Sequence, residues 1–279
     1  MILMPEIHFI MLTNYSKFKT FSAIVENGYE DFWGFFAPSN IRLGFSYVPL
    51  NKLNVGIGFT KTTVAVIPDQ SPSSVSGPLW DGSLKYSIIT QTKGISPVSL
   101  TYYGNMSYNT KKDPDKEIYR DYSDRFTYFN QLIIARKVNE KLSVQVAPSV
   151  SHQNVVNGYY VKLNDSTLQA EPGMEFNHFA IALSARYKLT EVTSVMINYD
   201  QPITKHAYNN PNPSLSFGLE FNTSAHSFQV FATNYYFLVP QINNLYNTNS
   251  PFKYTDAANT KVEGGKFLIG FNITRLWNY

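Results

Sequence analysis

The segment "KFLIGFNITRLWNY", Lys266 to Tyr279, alternates almost strictly. Phe267, Ile269, Phe271, Ile273, Trp277 and Tyr279 share one parity, whereas Gly270, Asn272, Thr274 and Asn278 share the other, with Leu268, Arg275 and Leu276 as exceptions. Successive strand side chains point to opposite faces, so this is a strand with an apolar, aromatic face and a small, polar one. Such a strand either half-covers a soluble core or stands between lipid and a wet lumen.

The same pattern runs through the chain. "NIRLGFSYV" (40–48) and "LNVGIGFT" (53–60) alternate on either side of "PLNK", which reads as a hairpin. Further hairpins follow: 80–90 with 96–108 around "QTKGI", 124–137 with 142–153 around "VNEK", 176–189 with 192–203 around "TE", and 214–222 with 226–237 around "TSA". The stretches between hairpins are long, polar and rich in Pro, Asn and Ser: 66–79, 109–123, 154–175, 204–213 and 238–263, with 25–39 ahead of the first. Short and long connections therefore alternate. That order predicts an all-β, antiparallel up-and-down transmembrane barrel with short periplasmic turns and long external loops. Eleven strands are legible from Asn40 onward, and single-chain bacterial barrels use an even number, so about 12 are expected. The missing strand is sought before residue 25, in "EIHFIML" or "KFKTFSAIV". It should pair with the last strand and remove the open edges.

Composition agrees. Tyr and Phe number 20 each, only 15% of residues are charged, and no stretch approaches the ~18 apolar residues of a spanning helix. A soluble sandwich would carry Lys and Glu on its outward face. Here the polar face holds Ser99, Thr101, Asn105, Ser107, Ser143, Gln145, Ser149 and Ser151. There is no cysteine, which excludes disulfides and thiolate metal sites. A net charge of +3 with scattered basic residues gives no footprint for nucleic acid.

The stretches "ENGYEDFWGFFAPSNIRLGFSYVPLNKLNVGIGFTK" (26–61) and "GGKFLIGFNITRLWNY" (264–279) resemble a Bacteroidota family of outer-membrane β-barrels known only as a domain of unknown function. The resemblance covers the chain from about Glu26 and implies a single barrel domain over 1–279, located in the cell outer membrane. It brings no catalytic residues. Family members look like exported proteins. The start "MILMPEIHFIMLTNYSK" has no basic segment ahead of its apolar residues and does not read as an export signal, so residues 1–25 are expected to be an irregular or mis-assigned N-terminus holding the first strand. Expected partners are outer-membrane lipids, periplasmic chaperones and the barrel-insertion machinery, which in outer-membrane proteins generally reads the final strand, here ending in Trp277 and Tyr279.

Candidate sites are few. Parity places Arg42, Lys85, Arg186, Asp200 and Glu220 on the polar, lumen-facing side. Arg186 and Glu220 lie two strands apart, roughly 10 Å across the sheet, within reach of each other and able to constrict the periplasmic end. Ser151, His152 and His178 raise the alternative of an outer-membrane lipase, but adjacent strand residues point to opposite faces and Ser151 cannot easily meet His152. Asp113, Asp115 and Glu117 lack the glycine and spacing of a calcium loop, and no metal or other cofactor is expected. Gly56 and Gly58 lie within a strand and read as easing curvature. Tyr47, Phe59, Trp80, Tyr108, Phe126, Tyr187, Tyr199, Phe237 and Trp277 fit interfacial girdles. Trp33, Phe35 and Phe36 are loop aromatics that either stack on carbohydrate or bury in the barrel mouth. The expectation is a non-enzymatic, porin-like narrow passage or binding barrel for small solutes; a structural barrel presenting its long loops is the alternative.

Overall fold

The computed structural model describes residues 6–13, 39–61, 79–116, 118–156, 158–164, 167–208, 210–255, 259, 261, 262 and 264–276. Their strands are β1 (Glu6–Thr13), β2 (Ser39–Leu50), β3 (Leu53–Lys61), β4 (Leu79–Ile89), β5 (Ser99–Asn109), β6 (Phe126–Lys137), β7 (Leu142–Gln153), β8 (Gly158–Asn164) and β9 (Thr167–Pro172). They continue with β10 (Asn177–Lys188), β11 (Thr193–Pro202), β12 (Ser214–Asn222), β13 (His226–Thr233), β14 (Tyr254–Thr255), β15 (Lys261–Val262) and β16 (Leu268–Leu276). Twelve of them pair antiparallel in the order β1-β2-β3-β4-β5-β6-β7-β10-β11-β12-β13-β16, and β1 bonds β16 as well as β2, which closes the sheet into a barrel. The first strand is thus in "EIHFIML", running Glu6↔Leu276 to Thr13↔Ile269 against the last. The other candidate, 17–25, and the loop aromatics Trp33, Phe35 and Phe36 lie outside the described residues, as do Trp277 and Tyr279.

Burial is inverted relative to a soluble protein. Phe45, Ile57, Leu183, Ile197, Phe217, Val230 and Ile269 are exposed on the outer face, while Thr60, Ser107, Ser149, Ser151, Ser194 and Thr233 are buried on the inner one. A surface of that kind is stable only against lipid, where burial of apolar area is recovered. Phe267 lies just ahead of the closing strand rather than in it and packs edge-on to Phe217 at 5.7 Å, while Phe271 and Ile273 on the strand are half-buried. No helix among the described residues is long and apolar enough to cross a membrane.

Of the strands that are shorter than their alternation suggests, β13 and β6 are cut back for a local reason. β13 stops at Thr233 rather than Phe237 because the Asn234 side chain takes over the ladder: its Oδ1 accepts from the Leu215 amide at 2.6 Å, and its Nδ2 donates to the carbonyls of Pro213 and Asn249. β6 begins at Phe126 because 122–125 form a 3-10 turn, which Asp124 tethers by accepting from the Asp121 amide at 2.9 Å. The connection 154–175 contains the β8–β9 hairpin, and 238–263 contains a helix, α1 (Pro240–Tyr246), with the short β14–β15 pair. Neither had been read from the sequence.

Candidate functional site: a plugged, charged lumen

Helix α1 lies inside the barrel mouth. Pro240 starts it, and Val239, Ile242, Leu245 and Tyr246 recur at helical spacing. They form a buried apolar cluster with Leu79, Met174 and Phe237. Phe237 is therefore core and not girdle. The opposite helix face is amide-bearing and meets the polar wall. Gln241 Nε2 donates to Asn105 Oδ1 at 2.9 Å, Asn244 Nδ2 donates to Ser149 Oγ at 3.4 Å, and the Tyr246 hydroxyl donates to Gln153 Oε1. The helix thus plugs the end from which the long connections emerge. Its signal in the sequence was the proline followed by apolar residues at 242, 245 and 246.

Register puts Arg42, Lys85, Arg186, Asp200 and Glu220 on the inner face, and two ion pairs form there. Arg42 grips Asp81 with both ends of its guanidinium, Nε to Oδ2 at 3.1 Å and Nη2 to Oδ1 at 2.6 Å. Asn105 Nδ2 donates to Asp81 Oδ1 at 2.9 Å, so a continuous chain runs from Arg42 through Asp81 and Asn105 to Gln241 on the plug. Gly58 makes this possible. A Cβ there would stand 2.2 Å from both Arg42 Nη2 and Asp81 Oδ2, so its role is space for the pair rather than curvature. Asp81 was missed by the sequence reading although it shares the parity of Lys85.

Arg186 and Glu220 make the second pair, with Nε at 2.8 Å and Nη2 at 2.7 Å from Oε1. Asn222 and Gln229 also donate to Glu220, and Asn272 Nδ2 donates to Gln229 Oε1 at 3.0 Å. A cavity of about 450 Å³ opens beside this network, lined by Arg186, Asn198, Ser216, Phe231, Tyr235 and Asn272 among others. On the opposite wall a cavity of about 480 Å³ is lined by Arg42, Lys52, Lys85 and Tyr103 with small polar side chains. Asp200 borders a third space of about 230 Å³ under the plug, and its Oδ1 is buried without a hydrogen-bond partner.

Ser151 and His152 stand on opposite faces. His152 is outside, bonded to Asn177 and Asn154, while Ser151 is fully buried and opposite His178 in register. No hydrogen bond joins Ser151 to His178. Instead His178 Nδ1 meets His206 Nε2 at 2.9 Å, and the Glu175 amide donates to His206 Nδ1 at 2.9 Å. Burial holds the His206 imidazole below its ordinary range, with Glu175 opposing the shift. The pair fastens the 203–213 connection over the mouth. Asp113 serves its own loop, accepting from the amides of Ile118 and Tyr119, and among the described residues no three His, Asp or Glu gather as metal ligands would.

Solved structures similar to this barrel include the KdgM porin, at TM-score 0.52 and 7% identity over 98% of this chain and 99% of that one. The KdgM porin in complex with disordered oligogalacturonate aligns at TM-score 0.54, with the same identity and coverage. The NanC porin aligns at 0.49 and 7% identity, over 99% of this chain and 100% of that one. At such identities the two KdgM likenesses establish the fold alone. No curated protein is similar in sequence. Residues 13–277 match the family described as a membrane bound beta barrel domain (DUF5777), so the chain belongs to that family and is a membrane-bound barrel of the outer-membrane type.

Proposed function

We propose that this barrel is a narrow, gated passage or binding barrel for small polar solutes, with its short turns in the periplasm and its long connections outside. The observation that carries this reading is the manner in which α1 is seated. One face of the plug is held by amide and hydroxyl hydrogen bonds to a polar wall, contacts that water can replace, and beyond it lie two lumen cavities of the size that holds small molecules. The Arg186–Glu220 pair narrows the short-turn end. The barrel is read as non-enzymatic because Ser151, the hydroxyl facing a histidine in register, is enclosed beneath the plug and unbonded to it.

Planar-bilayer recording tests this. The wild type should conduct weakly, and replacing 240–246 by a glycine-serine segment of equal length should raise conductance several-fold. Glu220→Ala should raise it less and alter ion selectivity. A wild type that conducts like an open general porin, or a plug replacement without effect, defeats the reading. A second reading, a barrel that presents its loops to a partner, is favoured by the β8–β9 hairpin, which exposes Tyr160 and Leu168.

A further inference from the structure

The lumen is asymmetric in charge. Strands β2 to β5 contain one acidic residue, Asp81, and it is already committed to Arg42. The cavity on this wall is lined in addition by Lys52 and Lys85, with no carboxylate among its lining residues. Among the described residues neither ammonium has an ion-pair partner. Lys52 sits in the β2–β3 turn at φ 71°, and Lys85 projects from β4 in register with Asn54 and Tyr103. Asp81 is four residues further along β4, about 13 Å at the usual strand rise. Lys52, Lys85 and Arg42 therefore form a file of cations leading from the short-turn rim towards the plug. Across the lumen, Arg186 is balanced by Glu220.

Lys52 and Lys85 are exposed to the lumen water, and like charges gathered on one wall of a cleft with low-dielectric sides sum to a positive potential that draws in an anion and hydrogen-bonds it. We infer that the β2–β5 cavity is a binding site for a small solute bearing a carboxylate or a phosphate. Its hydroxyl groups would meet Ser46, Asn54, Ser83, Ser87 and Thr101, and the volume suits a monosaccharide-sized molecule. This rests on the reading of the lumen as a solute compartment and names the class of solute that it takes.

The probes are glucuronate, glucose 6-phosphate and neutral glucose, with binding to the purified detergent-solubilised barrel followed by saturation-transfer NMR. The two anions should bind about tenfold or more tightly than glucose, and Lys52→Gln/Lys85→Gln should lose roughly tenfold for the anions alone. Lys85→Arg should restore binding to Lys85→Gln. On the wild type, raising salt from 0.05 to 1 M should weaken anion binding and leave glucose unchanged, a readout independent of whether the variants fold. The better of the two anions identifies carboxylate or phosphate as the natural group. Equal binding of all three sugars, or salt-independent anion binding, overturns the site. Binding is measured without flux, so anion binding by a barrel that never conducts refutes the passage and keeps the site, whereas a conducting barrel that binds all three sugars equally does the reverse.

Discussion

Arg42 reaches Asp81 across β3, and Arg186 reaches Glu220 across β11, so each pair spans one intervening strand. Their surroundings differ. The Arg42 and Asp81 side chains are 14% and 1% exposed, over a glycine and under the plug; those of Arg186 and Glu220 are 41% and 12% exposed beside a cavity. In the first, desolvation is nearly complete and every remaining bond is geometric necessity; in the second, water shares the charge. The same chemistry thus forms a buried structural clamp on one wall and a half-hydrated pair beside a cavity on the other.

Removing the acid from each pair is the sharpest way to separate them. Asp81→Ala leaves a buried guanidinium uncompensated and should cost about 3–5 kcal/mol in reversible unfolding from detergent or lipid. Glu220→Ala should cost about 1 kcal/mol because water solvates the released Arg186. Equal costs would break the comparison. Both pairs also presuppose the face assignment. Phe271→Arg, directed at lipid near mid-strand, should cost about 2–4 kcal/mol, whereas Asn272→Arg, directed into the cavity of about 450 Å³, should be far milder. Comparable damage at the two positions would show that the face assignment is wrong.

Gly58→Ala probes the clamp without touching a charge. The added methyl must displace Arg42 and Asp81, and it should cost about 1–3 kcal/mol as overpacking. A neutral effect would mean that the pair is looser than its distances indicate. The smallest effect is set by pH at the mouth. His206 is held below its ordinary value of 6.5 by burial, so the unfolded or released loop binds a proton before the docked one does. Docking of 203–213 is complete above that value and weakens as pH falls through and below it, with His178 and Glu175 facing the same imidazole. Protection factors of the 203–208 amides, taken relative to the intrinsic exchange rate at each pH, should fall between pH 7.5 and 5; protection factors that stay flat would remove the histidine pair from the account of the mouth.

Alternation is a local property, and it made the strands legible. A one-residue slip would turn every lipid-facing side chain into the lumen, so positions such as Phe217, Leu219 and Phe221 declare their face without any knowledge of the partner strand. Tight turns at 190–191 and 223–225 fix register by counting, and the Arg186–Glu220 contact followed from that arithmetic. The sequence also carried the amphipathic spacing of Ile242, Leu245 and Tyr246, but seven residues in a polar connection do not form a stable helix alone. It was the enclosed wall, offering Asn105, Ser149 and Gln153 on one side and Leu79 and Met174 on the other, that made 240–246 helical. In the same way Asn234 ended a strand whose alternation ran on, because partners at Leu215, Pro213 and Asn249 are brought to it only by closure of the fold. The sequence by itself determined which side chains face lipid and which face the lumen, since strand geometry needs only neighbours in the chain. Tertiary structure alone decided that the lumen is plugged, that Gly58 is space for an ion pair, and that Lys52 and Lys85 share a cavity, because each depends on groups far apart in sequence.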